Sequence, residues 1–275
     1  MKPEEKQTKL ENILNNYQST IVAFSGGVDS AYLAFMAHRV LGECALAITA
    51  VSPSLASFQR EDALNFAREY GFRHEVIQTE EMADSNYVAN PANRCYFCKD
   101  ELFGKLKTLA DQRGFQTVSY GVNVDDLGDF RPGQEAARKF GVHAPLVEAD
   151  LKKAEIRSLS RTLNLNTWDH PASACLSSRI PYGMMVTVDK LEAIDRGEDA
   201  LHRLGFRQVR VRHHGEIVRI EISPDEMARA LQMEMAGEFT RVFKSLGFKY
   251  VTLDLEGYRQ GALNEVLDLP SGKRS

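Results

Sequence analysis

Short apolar runs alternate with helical patterns along the first 165 residues of the chain. The apolar runs cover 20–24, 44–51, 73–78 and 117–120. The stretches with helical spacing cover 29–41, 58–70, 99–112 and 151–163, and a short polar helix ends near Tyr17. This alternation is typical of a parallel sheet that is covered by helices on both faces. The pattern therefore predicts an α/β fold with a doubly wound parallel sheet, in which Cys44 is a small core residue.

The pattern changes after an irregular stretch at 166–183. Helical spacing returns at 186–204 and 224–246, and period-two alternation appears at 208–213, 216–222 and 249–255. The first two alternating runs meet at His214-Gly215, which is typical of a hairpin turn. Two adjacent strands between helices indicate a small α+β domain. The sequence therefore predicts two domains, at 1–184 and 185–275, and we expect the second to bind substrate or to mediate oligomerisation.

Composition and charge narrow the class of protein. The chain has 275 residues, of which 43% are hydrophobic and 26% charged, as in ordinary folded proteins. Its net charge of −4 disfavours a partner held through phosphate-backbone contacts, which need a basic surface. No run approaches the roughly 18 apolar residues that span a bilayer, and the N-terminus lacks the apolar centre of a signal peptide. We therefore expect a cytoplasmic protein without a nucleic-acid or membrane partner.

The loop after the first predicted strand carries the most informative motif. It reads Ser25-Gly26-Gly27-Val28-Asp29-Ser30. Glycines let the backbone approach an anion closely, and the start of a helix offers unpaired N–H groups. A plain capped turn between strand and helix is the alternative interpretation. The chain contains no Gly-x-x-x-x-Gly-Lys-Ser/Thr, which excludes the kinase-type phosphate loop.

The hexapeptide resembles the pyrophosphate loop (PP-loop) of the N-type ATP pyrophosphatases. Enzymes of this kind cleave ATP between its α- and β-phosphates and adenylate an oxygen of their substrate. The resemblance implies that the loop holds the pyrophosphate of ATP with the help of Mg²⁺. It also implies that the end of the second strand, around Ala50, carries the adenine.

Three cysteines form a second candidate site. Cys95 and Cys98 lie three residues apart, and Cys175 precedes the stretch Leu-Ser-Ser-Arg-Ile-Pro-Tyr-Gly. A close pair of this kind in a reducing compartment binds a metal or performs redox chemistry. A zinc site completed by Cys175 with His170 or Asp169 is one interpretation. A thioredoxin-like pair fits poorly, because the residues before Cys95 read as a loop.

The cysteine segments, the stretch 121–133, Arg210-Val211-Arg212 and Gly257-Tyr258-Arg259 together resemble the LarE family of ATP-dependent sulfur transferases. The resemblance covers almost the whole chain in order. That family makes the organic part of the nickel-pincer nucleotide cofactor of lactate racemase. The resemblance implies that ATP adenylates the carboxylates of pyridinium-3,5-biscarboxylic acid mononucleotide, with AMP and pyrophosphate as products. Sulfur then converts each activated carboxylate into a thiocarboxylate.

The family resemblance also bears on the source of sulfur. Some members sacrifice a single cysteine, but that position is Ala174 here, one residue before Cys175. The chain instead resembles members in which three cysteines hold a [4Fe-4S] cluster. The resemblance thus implies that Cys95, Cys98 and Cys175 are cluster ligands and that Arg179 acts with them.

Charged residues are the candidates for phosphate, nucleotide and metal binding. Arg210 and Arg212 project from one face of a strand, and guanidinium groups suit bidentate contacts with phosphate. The resemblance implies that they bind the nucleotide phosphate, with help from Arg179 and Arg259. The residues it implies for the nucleotide cleft and for metal binding are Asp125, Asp129, Arg131 and Glu198.

Asp125 and Asp129 are the Mg²⁺ candidates in the nucleotide cleft, and Glu198 is expected to bind metal near a subunit contact. The resemblance further implies a homo-oligomer, with a hexamer possible. A PP-loop tRNA thiolase and a nucleotide-binding protein without turnover are the two alternative functions. A basic surface would favour the tRNA thiolase, and the charge of the chain disfavours it.

Overall fold

The computed structural model describes residues 1–128, 132–171, 174–259 and 261–266. The chain forms two compact units. The first comprises Met1–Ser52, Ser57–Asp84 and Asn93–Ser173, and the second comprises Pro53–Ala56, Ser85–Ala92 and Ala174–Ser275. The division of the sequence into domains after residue 184 stays a prediction.

A four-stranded parallel sheet forms the centre of the first unit. Its strands are β1 (Thr20–Ala23), β2 (Ala45–Val51), β3 (His74–Gln78) and β4 (Thr117–Tyr120), in the order β3-β2-β1-β4. From β1 the chain builds the sheet outward through β2 and β3, and it then returns to β4 on the other side of β1. The direction of winding therefore reverses between β1 and β4. In open α/β sheets, ligands bind in the crevice at the carboxyl ends of the strands at this point of reversal.

Helices cover both faces of this sheet. The first eight helices are α1 (Pro3–Tyr17), α2 (Val28–Leu41), α3 (Ser57–Glu69), α4 (Ser85–Val88), α5 (Arg94–Arg113), α6 (Gly133–Lys139), α7 (Pro145–Glu148) and α8 (Lys153–Thr162), of which α4 belongs to the second unit. Adjacent residues of β1 face opposite cores: Val22 packs with Leu33 of α2, whereas Ile21 packs with Phe103 of α5. This alternation confirms the predicted doubly wound α/β sheet.

The second unit contains a three-stranded mixed sheet. Its further elements are α9 (Val188–Arg203), β5 (Val209–His214), β6 (Ile217–Ile222), α10 (Met227–Ala230), α11 (Met233–Ser245) and β7 (Tyr250–Leu253). The strand order is β5-β6-β7, with β5 and β6 antiparallel and β6 and β7 parallel. Gly197 of α9 lies so close to Phe243 of α11 that a Cβ at this position would be 2.7 Å from its ring. The predicted hairpin and α+β arrangement are confirmed.

Two local predictions are wrong. Cys44 is exposed, because Gly42–Cys44 forms a 3-10 turn after α2 and the strand starts only at Ala45. The helix predicted over 224–246 is interrupted, since Gln232 has an extended backbone with φ −70° and ψ 142° and caps α11. No helix among the described residues has the length and apolar character that crossing a membrane requires.

Candidate active site

The six-residue loop joins the end of β1 to the start of α2 at the predicted crevice of the first unit. The Ser25 N–H donates to Ser30 Oγ over 3.2 Å, and the Ser30 hydroxyl donates to the Gly27 carbonyl over 3.0 Å. Val28 is buried in the core, so its side chain anchors the first turn of α2. The loop therefore closes on itself around a helix N-terminus, where backbone N–H groups and the helix dipole favour an anion.

Two glycines allow this loop to pack. Gly26 has φ +77°, and a Cβ there would lie 3.2 Å from the Ala63 Cβ of α3. Gly121 follows β4, and a Cβ there would lie only 2.7 Å from the backbone nitrogen of Ser30. A side chain at residue 121 would displace the phosphate loop itself, because the obstructing atoms are backbone.

One carboxylate of the loop is bound by a lysine that the sequence did not single out. Asp29 Oδ2 accepts from Lys153 Nζ over 2.6 Å. Asp29 Oδ1 is buried and has no hydrogen-bond partner among the described residues. The Lys153 backbone N–H, at the start of α8, donates to Asp125 Oδ2 over 2.8 Å. The predicted cleft residue Asp125 and the loop residue Asp29 are therefore connected through Lys153.

The carboxyl end of β2 is held by polar contacts. Thr49 Oγ1 donates to the Phe24 carbonyl over 2.9 Å, and it lies 2.9 Å from His74 Nε2. Burial lowers the pKa of His74, and the nearby Glu75 opposes this shift. Ala50 is half-buried at the next position of β2. Its role beside adenine stays a prediction, and Asp129 and Arg131 lie outside the described residues.

Cys95 and Cys98 occupy the first turn and a half of α5. The helix begins at Arg94, five residues before the predicted start at Lys99, and the two cysteines therefore share one helical face. Cys95 is exposed and Cys98 half-buried. A helix N-terminus stabilises thiolates, the form of cysteine that ligates metals. The pair thus has the chemistry of a metal ligand set.

The stretch that follows Cys175 in the second unit is fixed by a buried ion pair. Arg179 is fully buried, and its Nε and Nη2 donate to the two oxygens of Glu198 on α9 over 2.9 and 3.0 Å. Arg179 Nη1 also donates to the carbonyls of Ala174 and Cys175, over 2.7 and 3.0 Å. Burial acts to raise the pKa of Glu198, but the charge and hydrogen bonds of Arg179, together with Arg210 and the Val211 N–H, hold the pKa below its ordinary value. The guanidinium therefore determines the backbone conformation around Cys175.

Two further arginines are nearly buried on β5. Arg212 donates to both oxygens of Glu221 over 2.8 Å and to the Ser178 carbonyl over 2.8 Å. The Arg210 guanidinium lies over the Tyr258 ring, 4.8 Å from its centroid. Glu221 is the second charged residue that the sequence did not single out. The sequence pattern that could have revealed it is a glutamate flanked by two isoleucines on β6, and the residue opposite it in the strand register is Arg210.

The buried arginine cluster comprises Arg179, Arg210, Arg212, Glu198 and Glu221. It combines three guanidinium groups with two carboxylates, and the half-exposed Arg219 also contacts Glu221 over 3.0 Å. Burial lowers the pKa of Arg210, and the positive charge of Arg179 lowers it further. Guanidinium groups suit bidentate contacts with a phosphate.

The other predicted positions differ in their surroundings. Arg259 is exposed and forms ion pairs with Glu256 and Glu265. Both oxygens of Glu198 are engaged with Arg179, so its role as a metal ligand stays a prediction. Across the residues that the structure describes, no three side chains of His, Cys, Asp or Glu form a group that could hold a metal ion. Cys175 belongs to a different unit from Cys95 and Cys98, and the three-cysteine ligand set stays a prediction.

The chain is similar to known proteins along nearly its full length. The NAD synthase family model matches residues 5–98, which contain the phosphate loop. An uncharacterized protein of Synechocystis sp. is 49% identical over 264 residues, 95% of this chain and 98% of that protein. The pyridinium-3,5-bisthiocarboxylic acid mononucleotide synthase of Lactiplantibacillus plantarum is 35% identical over 263 residues, 95% of each chain. An uncharacterized protein of Methanocaldococcus jannaschii is 28% identical over 257 residues, 92% of this chain and 97% of that one.

The parallel sheet with a PP-loop at its point of reversal defines an ATP-dependent enzyme of the PP-loop class. Its similarity to the Lactiplantibacillus synthase extends over both structural units. The chain belongs to the LarE family of ATP-dependent sulfur transferases, and the predicted enzyme class is confirmed.

Proposed function

We propose that the enzyme adenylates the carboxylates of pyridinium-3,5-biscarboxylic acid mononucleotide and converts them to thiocarboxylates for a nickel-pincer cofactor. The observation that carries this proposal is the buried arginine cluster, because its guanidinium groups suit bidentate contacts with the phosphate of a nucleotide substrate. The relative at 35% identity, whose name is that of a pyridinium-3,5-bisthiocarboxylic acid mononucleotide synthase, supports the same substrate class.

The phosphate loop would carry out the first half of the reaction. A substrate carboxylate oxygen attacks the α-phosphorus of ATP, and the bond to the bridging oxygen of the β-phosphate breaks. The electron pair leaves with pyrophosphate, and the acyl adenylate forms. The loop N–H groups and the Ser25 and Ser30 hydroxyls would bind the pyrophosphate and stabilise the charge that develops on it. Asp29 would hold Mg²⁺, since its buried Oδ1 is an oxygen ligand of the kind that this cation prefers.

The second half of the reaction needs a sulfur nucleophile. Adenylation makes the acyl carbon electrophilic, and AMP leaves with the electron pair when sulfide displaces it. A [4Fe-4S] cluster on Cys95, Cys98 and Cys175 would supply that sulfide, because three protein ligands leave one iron accessible. Thiolates at the start of α5 fit such a cluster. Arg179 would keep the Cys175 backbone in position through its two carbonyl contacts.

The test is a reaction of the anaerobically purified and reconstituted protein with ATP, Mg²⁺, sulfide and the pyridinium mononucleotide. We expect AMP and pyrophosphate to appear together, and mass spectrometry to detect a sulfur-for-oxygen exchange in the product. Arg212→Met should raise the KM for the mononucleotide and leave the affinity for ATP unchanged. Arg203→Met, which removes an exposed arginine of α9, is the control. ATP cleavage that proceeds equally without the mononucleotide would contradict the proposed substrate.

Iron and acid-labile sulfide per chain test the cluster directly. We expect about four of each in the reconstituted protein and a large loss in Cys175→Ala. The exposed Cys44 provides the matched control, because Cys44→Ala removes a thiol without touching the ligand set. Stoichiometric zinc without labile sulfide would refute the cluster. The proposed assembly is a homo-oligomer, which light scattering measures independently of activity.

A further inference from the structure

One face of the three-stranded sheet in the second unit carries a row of basic side chains. Alternate residues of a strand share a face, so Arg210, Arg212 and His214 of β5 point to the same side. The intervening His213 points to the other side, where its ring lies 5.0 Å from that of the buried Phe248. The basic row therefore lies on the face opposite the one that packs against Phe248.

A further arginine reaches this face from β6. Arg219 is directly opposite Arg212 in the strand register. Like charges at opposite positions destabilise a sheet. Glu221 Oε1 reduces the repulsion, because it accepts from Arg212 Nε over 2.8 Å and from Arg219 Nη2 over 3.0 Å. Arg219 Nε also forms an ion pair with Asp254 over 3.6 Å, which is too long for a hydrogen bond.

Two nitrogen atoms on this face are buried and form no hydrogen bond with any of the described residues. They are His214 Nε2 and Arg219 Nε, although 40% of the Arg219 side chain is exposed. Burial lowers the pKa of His214, and the charges of Arg219 and Arg212 lower it further while Glu221 opposes them. The ring is therefore neutral at neutral pH and can donate through Nε2. Buried donors are normally satisfied by an acceptor, and the surrounding positive charge favours an anionic one.

Exposed apolar side chains border these two residues. Ile217, opposite His214 in the register, is 40% exposed, and Tyr250, paired with Ile217 on β7, is 60% exposed. A flat ring packs on such a surface, and the face of a tyrosine attracts a ring that carries positive charge. The end of the sheet beside the hairpin turn thus combines two donors for an anion with a surface for a cationic ring.

We propose that His214 and Arg219 form an anion subsite that binds one ring carboxylate of the pyridinium substrate while the other carboxylate is activated. This inference rests on the proposed function, in which Arg212 contacts the nucleotide phosphate. His214 lies two residues, about 7 Å, further along β5 than Arg212, so the phosphate and the carboxylate of one ligand meet separate partners. The pyridinium ring then lies on Ile217 and Tyr250.

Calorimetric titration with two nucleotides tests the subsite. The probes are pyridinium-3,5-biscarboxylic acid mononucleotide and nicotinamide mononucleotide, which has the same phosphate, ribose and pyridinium ring but no carboxylate. The wild type should bind the biscarboxylate about 10- to 100-fold more tightly, which corresponds to one charge-assisted contact. Arg219→Met and His214→Gln should each remove most of this preference by weakening the binding of the biscarboxylate alone.

Two more variants serve as rescue and control. Arg219→Lys should restore part of the preference, because it keeps the positive charge. Arg241→Met removes an exposed arginine of α11 and should keep the full preference. Unchanged binding of nicotinamide mononucleotide by Arg219→Met and His214→Gln would show that both variants are folded and that the phosphate contacts are intact.

The possible outcomes distinguish the two proposals. Equal losses of affinity for both nucleotides in Arg219→Met and His214→Gln would overturn the subsite, because they would indicate general damage to this face of the sheet. Equal affinities of the wild type for the two nucleotides, or variants that bind the biscarboxylate like the wild type, would also overturn it and leave the proposed function intact. A wild-type protein that binds neither nucleotide would overturn both proposals.

Discussion

Replacement of Glu198 by glutamine should strongly destabilise the second unit. The substitution keeps the shape of the side chain and removes its charge. The remaining oxygen can still accept from the Val211 N–H, which donates to Glu198 Oε1 over 3.0 Å in the structure. The new amide NH₂ faces the Arg179 Nη2, so a hydrogen bond becomes a contact between two donors. Arg179 stays fully buried without its carboxylate, and the positive charge of Arg210 lies close enough to act on it.

The loss of one partner of a buried ion pair costs about 3–5 kcal/mol. With a urea m-value of about 2 kcal/mol/M, the midpoint of unfolding of the second unit should fall by roughly 1.5–2.5 M. The control is Glu238→Gln, which breaks the exposed pair with Arg241 and should change the free energy of unfolding by less than about 1 kcal/mol. Inorganic phosphate should restore part of the stability of Glu198→Gln, because an anion that binds only the folded state stabilises it.

The pH dependence of the free energy of unfolding provides an independent test of this prediction. Burial acts to raise the pKa of Glu198 and Arg179 acts to lower it, and the result lies below the ordinary value of 4.5. The contribution of the pair is therefore fully present above pH 4.5 and is lost as the pH falls through the lowered pKa of the folded state. The stability difference between the wild type and Glu198→Gln should shrink in that acidic window. Equal urea midpoints for Glu198→Gln and Glu238→Gln at neutral pH would refute the reasoning.

Two further predictions follow from individual positions. Gly121→Ala should weaken ATP binding at least about 10-fold in a calorimetric titration, because its Cβ would collide with the backbone of Ser30. In the control Gly237→Ala the new Cβ meets nothing within 4 Å, and urea unfolding should show that α11 is stabilised by about 0.5–1 kcal/mol. Normal ATP affinity in Gly121→Ala would count against the proposed loop packing. Burial lowers the pKa of His214, and the charges of Arg219 and Arg212 lower it further, so the unfolded chain takes up a proton first as the pH falls below 6.5. Stability should then decline as the pH falls from 6.5 through the lowered pKa of His214, and His214→Gln should reduce this dependence. Identical pH profiles of stability for the wild type and His214→Gln would exclude the effect.

Local sequence patterns predicted the parallel sheet well because each strand is a short β-branched run next to a glycine. The same reasoning failed at Cys44, where hydrophobicity suggested a strand and the backbone continues as a turn. It also failed at Cys95, because the helix was predicted to begin at Lys99 whereas α5 begins at Arg94. Both errors concern the first residues of an element, where the apolar pattern does not specify the boundary.

The candidate site, too, could be predicted from the sequence only in part. Contiguous residues, such as those of the phosphate loop, could be recognised because one short segment supplies the whole chemistry. The contact between Asp29 and Lys153 and the pairing of Arg179 with Glu198 depend on how distant segments fold together. Glu221 could have been noticed as a charge in an apolar strand, but its partner Arg212 lies diagonally across the sheet rather than opposite it.

The second unit is assembled from three separate stretches of chain, and this affects how it is synthesised and cleaved. Asn90, on an early stretch, donates to the carbonyls of Ile180, Pro181 and Met184, and the Val186 N–H donates to the Val88 carbonyl over 2.9 Å. These partners of Asn90 lie 90 to 94 residues later in the chain, so at ribosomal rates of about 5–20 residues per second they are synthesised roughly 4.5–19 s after it. A single cut between the early stretch and Ala174 would leave two fragments that remain associated, since the early stretch still holds the C-terminal fragment through these hydrogen bonds.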